Sequence, residues 1–484
     1  MTANPDVVII GSGFAGIGMG VQLKRAGFDS FVILERGPEV GGTWRSNTYP
    51  GCACDVPSHL YSFSYEKNPD WSRMYPTQVE IWNYLKAVAA KHGLRESMRF
   101  NSEVREAVFD PGENRWRVTT AAGEVLAPRI LISCMGGLSR PQRPAIAGLD
   151  RFAGPAFHSS EWDHTVDFAG KRVGVIGTGA SAIQFVPRIV PHAARLHLFQ
   201  RTPPWVLPKP DRPIKGWERA AFRWLPGYMW GFRNWLYWRQ EIFGIGYTLK
   251  PEYLKFAEGI ALRYLKRAVP DPGVRAKLTP QYRIGCKRVL LSNDYLQSLA
   301  QPNVDVVTER VTEVRERSVV TADGVERDVD VLVYGTGFRT LDFTSPVRFV
   351  GPEGVDLAEV WRSRPRAYFG VATAGFPNLF FITGPNSRVA NNSIVFMIEA
   401  QIRYVVACLR HLRATGARTM GVRQESQDAF NLALAARARR TVFATGCKSW
   451  YLDEKGESPV LWPGFSSEYW WRARRPRTSD FVVT

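Results

Sequence analysis

Two glycine-rich turns restrict the folds open to this chain more than any other feature. Gly11-Ser12-Gly13-Phe14-Ala15-Gly16 follows the apolar run Asp6-Val7-Val8-Ile9-Ile10, and Gly177-Thr178-Gly179-Ala180-Ser181-Ala182 follows Lys171-Arg172-Val173-Gly174-Val175-Ile176. A strand, a tight glycine turn and a helix form the entry to a dinucleotide-binding α/β fold. The first glycine permits the turn, the second lets backbone approach a pyrophosphate, and the third small residue packs helix on strand. The helix N-terminus then offers free N–H groups and a positive dipole end to the phosphates. Such a hexapeptide is weak evidence alone and strong evidence in this context. Gly11, Gly13, Gly16, Gly177, Gly179 and Ala182 are therefore candidate cofactor residues. The expected fold class is α/β, with two Rossmann-like domains.

The two units differ where each should meet a ribose. Glu35 ends the apolar strand Phe31–Leu34, 24 residues after Gly11, and Arg201 lies 24 residues after Gly177. A carboxylate accepts hydrogen bonds from ribose hydroxyls and repels a 2′-phosphate, whereas a guanidinium grips that phosphate. The first unit reads as an FAD site and the second as an NADPH site, with Thr202 adding a hydroxyl.

Composition narrows the class. At 484 residues, 45% hydrophobic and 22% charged, the chain reads as a soluble globular protein of two or three domains. The first strand begins at once, which leaves no room for a signal peptide, and no apolar run is long enough to span a bilayer. The six cysteines, Cys52, Cys54, Cys134, Cys286, Cys408 and Cys447, show no zinc spacing and do not suggest a disulfide framework. No metal site is expected, and the expected compartment is the cytoplasm. The net charge of +18 suits two bound dinucleotides and a solubilising surface. Nucleic acid is not an expected partner, since no helix-turn-helix, zinc finger or RNA-binding motif is present.

Between the fingerprints, residues 77–98 read as an amphipathic helix and 99–133 as short strands turning at Pro111-Gly112 and Ala122-Gly123. Residues 205–285 break the alternation of strands and helices. Trp205, Trp217, Trp224, Trp230, Trp235 and Trp238 crowd a basic, helical stretch. This stretch is expected to be an insertion that packs on the second domain and walls a cavity. The rival readings are an interfacial membrane helix and ordinary core. Pro226, Gly227, Gly231, Gly244 and Gly246 are expected to interrupt any long amphipathic face, so membrane contact is the minor option. A last helix is expected from about Ser393 to Thr415.

Three stretches carry a family resemblance. Phe152-Ala153-Gly154-Pro155-Ala156-Phe157-His158-Ser159-Ser160-Glu161-Trp162-Asp163 fills every fixed position of F-x-G-x-x-x-H-x-x-x-W-[P/D]. Gly41-Gly42-Thr43-Trp44, Tyr49-Pro50-Gly51 and Asp55 fill G-G-x-W-x-x-x-x-[F/Y]-P-G-x-x-x-D. Gly335-Thr336-Gly337 resembles an Ala-Thr-Gly motif, with Gly335 in place of Ala. Together these resemble type I Baeyer–Villiger monooxygenases, from residue 6 to about 464.

The resemblance implies an FAD domain of residues 1–138 and 338–484, an NADPH domain of 139–206 and 286–337, and a helical insertion of 207–285. It implies that Trp44, Asp55 and Gly337 lie beside the flavin, that Lys287 reaches the 2′-phosphate and that Trp450 folds over the nicotinamide. It makes Arg288 the catalytic cation, with Asp55 orienting it; Arg388 and Arg339 are the next candidates. Read bare, Lys287-Arg288 is a solvated basic pair, Asp55 a turn cap, and Phe152, Gly154, His158, Trp162 and Asp163 a packed linker. The implied reaction takes NADPH, O2 and a ketone to an ester or lactone through a peroxide on flavin C4a. Rival functions are oxygenation of amines or sulfides, and a non-catalytic, membrane-peripheral FAD-binding protein.

Overall fold

The computed structural model describes residues 4–447, 449, 451–453 and 455–484. Two five-stranded parallel sheets organise it. In the first, the strand order is Leu379–Phe381, Ile130–Ser133, Val7–Ile10, Phe31–Leu34, Met98–Arg99. The central strands Ile130–Ser133, Val7–Ile10 and Phe31–Leu34 are buried at every position, and apolar at all but Ser133, because both faces are covered. Val7 and Ile9 point into a helical core, and Val8 and Ile10 into a core shared with an antiparallel sheet of residues 104–126. The helical core holds Phe14–Arg25 against the 22-residue helix Ile394–Thr415. Ser393 caps the latter through Val395 N–H. Residues from both ends of the chain thus build one sheet.

In the second sheet the order is Val304–Val307, Arg195–Phe199, Arg172–Ile176, Val331–Tyr334, Ala156–His158. The stretch that reads as a linker is therefore partly a strand. It adds Ala156–His158 to the sheet edge, with His158 opposite Tyr334. Gly154 permits this approach, because a Cβ there would lie 2.3 Å from the Asp330 carbonyl oxygen.

The insertion departs from expectation in two ways. It forms Gly216–Trp224, Tyr228–Thr248, Leu254–Ala268 and Pro272–Lys277. Pro226 and Gly227 do break the chain between helices, but Gly231, Gly244 and Gly246 lie within one continuous 21-residue helix. At two of them close packing outweighs helix propensity: a Cβ at Gly244 would meet Asn391 Nδ2 at 2.8 Å, and one at Gly246 would meet Leu254 Cδ2 at 2.7 Å. Nor does the insertion rest on the second domain alone. Phe222, Leu236 and Tyr237 enter the core of the first sheet, and Tyr264, Leu265 and Val269 that of the second.

The cysteines require a correction as well. Cys286 and Cys447 form a disulfide, with Cα atoms 6.2 Å apart and a sequence separation of 161. A single bridge closed by the tertiary fold leaves no local spacing to read. Cys52, Cys54, Cys134 and Cys408 are buried free thiols.

Candidate active site

At the first glycine turn, Gly11 has φ +99°, and a Cβ on Gly16 would lie 1.8 Å from the Gly11 carbonyl oxygen. Only glycine closes the turn this tightly onto its helix. No side chain caps that helix at Gly13, so its first N–H groups are free for an anion. Glu35 is buried at the end of its strand and accepts from Ser12 N–H (2.9 Å), Ser12 Oγ (2.7 Å) and Gly37 N–H (2.8 Å). These donors fix the carboxylate beside the turn while lone pairs remain for a ribose. The turn and its acid suit the diphosphate and ribose of FAD.

Gly177 has φ +107° and sits against the Gly335 carbonyl oxygen, 2.4 Å from where a Cβ would stand; Ala182 is fully buried behind Gly179 at the start of the next helix. Thr178 Oγ donates to the Thr202 carbonyl at 3.4 Å. Arg201 is exposed, and Lys287 lies half-buried with Nζ 4.7 Å from the centre of the Tyr282 ring. Burial, then the charge of Arg201, depresses the Lys287 pKa. Neither cation has a carboxylate partner among the described residues. Two neighbouring cations without a counter-ion suit a dianionic 2′-phosphate.

Between the folds, Arg288 Nε and Nη2 both donate to Asp55 Oδ2, at 2.8 and 2.6 Å. Asp55 comes from the loop after the first fingerprint, and Arg288 from the loop just before the short strand Leu290–Leu291, which pairs with Val206–Leu207. The side chains are 29% and 25% exposed, so the pair is reachable from the cleft. Asp55 raises the Arg288 pKa far beyond its ordinary value, and Tyr451 adds to the rise. Gln184, from the second fold, clamps the Asp55 loop: its Oε1 accepts from Ala53 N–H (3.2 Å) and Tyr49 hydroxyl (3.1 Å), and its Nε2 donates to Ala53 carbonyl (3.0 Å). Trp44 Nε1 donates to Tyr61 hydroxyl at 3.1 Å.

Three further residues lie close to this pair: Tyr247 and Tyr451, which were not assigned from sequence, and Arg388, a reserve candidate for the cation. Tyr247, Tyr451 and Arg388 feel one another or Arg288 electrostatically. Arg388 is a partly buried cation, its Nη1 enclosed, with no carboxylate partner among the described residues, and desolvation holds its pKa down to about 10. Its guanidinium occupies the space that a side chain on Gly137 would need. Arg339 is exposed, away from this role.

His158 is fully buried. Its Nδ1 accepts from Ser160 N–H at 3.1 Å, its ring meets Phe338 edge-on at 5.4 Å, and burial depresses its pKa against an opposing interaction with the Gly337 backbone. Trp162 packs on Phe157, Phe185 and Tyr49, with centroids 5.2 to 6.5 Å apart. Asp163 accepts from Thr165 N–H and Oγ in an exposed turn. Phe152 packs at the edge of the core behind Val331–Tyr334, and Gly337, at φ +80°, accepts from Gln142 N–H. Trp450 lies outside the described residues.

Two dinucleotide folds facing a charged cleft define a two-cofactor flavoprotein oxidoreductase. The pyridine nucleotide-disulphide oxidoreductase family model matches residues 8–225. A Baeyer–Villiger monooxygenase of Streptomyces coelicolor is 47% identical over 99% of this chain and 92% of its own length. One of Pseudomonas aeruginosa is 45% identical over 97% of this chain and 88% of its own. The crystal structure of OTEMO in complex with FAD and NADP superposes with a TM-score of 0.89, at 28% identity, over 99% of this chain and 100% of that one. The chain belongs to the Baeyer–Villiger monooxygenases. It is an enzyme that uses FAD and NADP(H).

Proposed function

We propose that the enzyme converts a ketone, O2, NADPH and a proton to an ester or lactone, NADP+ and water, with Arg288 and Asp55 at the reacting centre. The observation that carries this reading is the Arg288–Asp55 pair, built by two domains and open to the cleft between them. FAD, reduced by NADPH, supplies the oxygen chemistry when bound. Attack on a carbonyl puts negative charge on the ketone oxygen. A preorganised guanidinium stabilises that charge more than it stabilises the neutral ketone. Asp55 fixes the direction in which Arg288 points, and Gln184 fixes the loop that carries Asp55. Gly11, Gly13, Gly16 and Glu35 hold FAD; Gly177, Gly179, Ala182, Arg201, Thr202 and Lys287 hold NADPH. Trp44 and Gly337 border the flavin. His158 and Trp162 position the second sheet's edge and do not touch the ketone. The reading includes the domain division at residues 138/139, 206/207, 285/286 and 337/338, and a cytoplasmic location, where NADPH is replenished.

Incubation with a panel of cyclic, aryl and linear ketones under 18O2 tests it. One labelled oxygen in an ester product is expected. Oxidation of sulfides or amines without any ester would replace this reading with heteroatom oxygenation.

A further inference from the structure

The protein covers one face of the insertion helix Tyr228–Thr248 and leaves an apolar stripe on the other. Arg233, Leu236, Tyr237, Glu241, Gly244, Gly246 and Thr248 are buried, and Arg233, Tyr237, Glu241, Gly244 and Thr248 follow one another at spacings of four, four, three and four residues. Trp235 (55% exposed), Trp238 (55%), Ile242 (64%) and, just beyond the helix, Leu249 (61%) form a second stripe, separated by three, four and seven residues. That is also helical spacing, on a face turned to solvent. The pattern continues on either side of the helix. Trp224 and Leu225 stand exposed before it, and Tyr253 and Phe256 after it. An exposed apolar surface this extensive is unusual for a free protein surface and marks a docking face.

The charges beside the stripe identify its partner. Residues 215–267 carry ten Lys and Arg against four Asp and Glu. Of those four acids, Glu218 is buried against Arg212, Glu241 is buried against Ser466 and Asn392, and Glu258 accepts from Ile284 N–H. Glu252 alone of them is exposed, whereas Lys215, Arg219, Arg223, Lys250, Lys255, Arg263, Lys266 and Arg267 are all exposed. Cations also flank the aromatics directly. The Arg239 guanidinium lies 5.1 Å from the Trp235 ring and Lys250 Nζ lies 5.6 Å from the Tyr253 ring. Tryptophans among lysines and arginines on a surface helix match the boundary between lipid headgroups and acyl chains. No helix among the described residues is long and apolar enough to cross a membrane. We propose that the exposed Trp235-Trp238-Ile242-Leu249 face, with its basic surround, docks the enzyme on the surface of an anionic lipid bilayer. A second copy of this chain, carrying the same excess of positive charge, would be repelled where the bilayer is attracted.

Flotation of the FAD-loaded enzyme with vesicles tests the proposal, comparing pure phosphatidylcholine with mixtures containing phosphatidylglycerol. Partitioning should be at least about tenfold stronger on the anionic vesicles, as expected when even two basic side chains approach such a surface, and should weaken as salt rises. The triple variant Trp235→Ser, Trp238→Ser, Ile242→Ser should lose flotation and keep its FAD content and ketone turnover. Should that variant fold poorly, Lys250→Glu with Lys255→Glu alters only exposed side chains and should also weaken binding. Equal partitioning on both vesicle types, or undiminished binding by a folded variant, overturns the proposal. So does light scattering that shows a wild-type dimer, a monomeric triple variant and no flotation of either, because a second copy would then be the occupant.

Discussion

Asp55 raises the Arg288 pKa still further, so in the proposed centre this guanidinium is a fixed cation at every working pH. Its removal should separate the two halves of the reaction. In Arg288→Ala, NADPH should still bleach the flavin, but reoxidation should release hydrogen peroxide in place of ester. Ester formation should fall by about a hundred- to thousandfold, the effect of about 2.7–4 kcal/mol of preorganised electrostatics. Stopped-flow absorbance with product analysis reads both quantities, and near-normal ester formation would shift the role to Arg388. Another single residue sets acid sensitivity. His59 is buried against Phe222 (4.2 Å) and Phe232 (5.3 Å), neither ring nitrogen has a hydrogen-bond partner among the described residues, and burial lowers its pKa from 6.5 to about 4. Below pH 6.5 the unfolded chain takes up a proton that the folded chain resists. Stability from this residue is therefore complete above pH 6.5 and is lost as pH falls through about 4, amounting to about 3 kcal/mol. His59→Phe should flatten the fall in Tm over that window; an unchanged fall would assign it to other groups. At this scale little was legible from spacing. Asp55 and Arg288 lie 233 residues apart, and only the resemblance joined them. Arg388 and Gln184 have no local signature because each gains its meaning from a partner on another element.

Elements were easier to read where burial is two-sided. Val7–Ile10 and Val331–Tyr334 are apolar at nearly every position because covered parallel strands must be, and the glycine turns fixed which way the chain leaves them. Residues 311–328 went unread. They form a small antiparallel sheet of strands of three and four residues, rich in charge and too short to show a period. The insertion was legible as helical, but the side on which it packs was not. Any apolar stripe can face either core, and here Asn391 and Leu254 decide the contact by fitting against glycines. The edge strand Ala156–His158 offers a test at this scale. Gly154→Ala would force a methyl group against the Asp330 carbonyl and push the strand off the sheet. A lower Tm with FAD retained is expected from calorimetry and absorbance. An unchanged Tm would show that the edge yields without cost.

Across the whole molecule, the proposed assignment has the two dinucleotide folds divide recognition of the cofactors through charge. Arg201→Ala should narrow the preference for NADPH over NADH by about 1.5–3 kcal/mol, the contribution of a hydrogen bond to a charged group, and Lys287→Ala should narrow it further. Steady-state kcat/KM with each nucleotide measures this, and an unmodified enzyme that uses both equally would dismiss the assignment. The Cys286–Cys447 bridge gives the molecule one more property. It closes residues 286–447 into a covalent ring that contains most of the second half of the chain. A protease that cuts once between those cysteines opens the ring without dividing the polypeptide, so the nicked protein should migrate as one species on a denaturing gel. Reductant should then release two fragments. Separation before any reductant is added would mean that the ring was never closed.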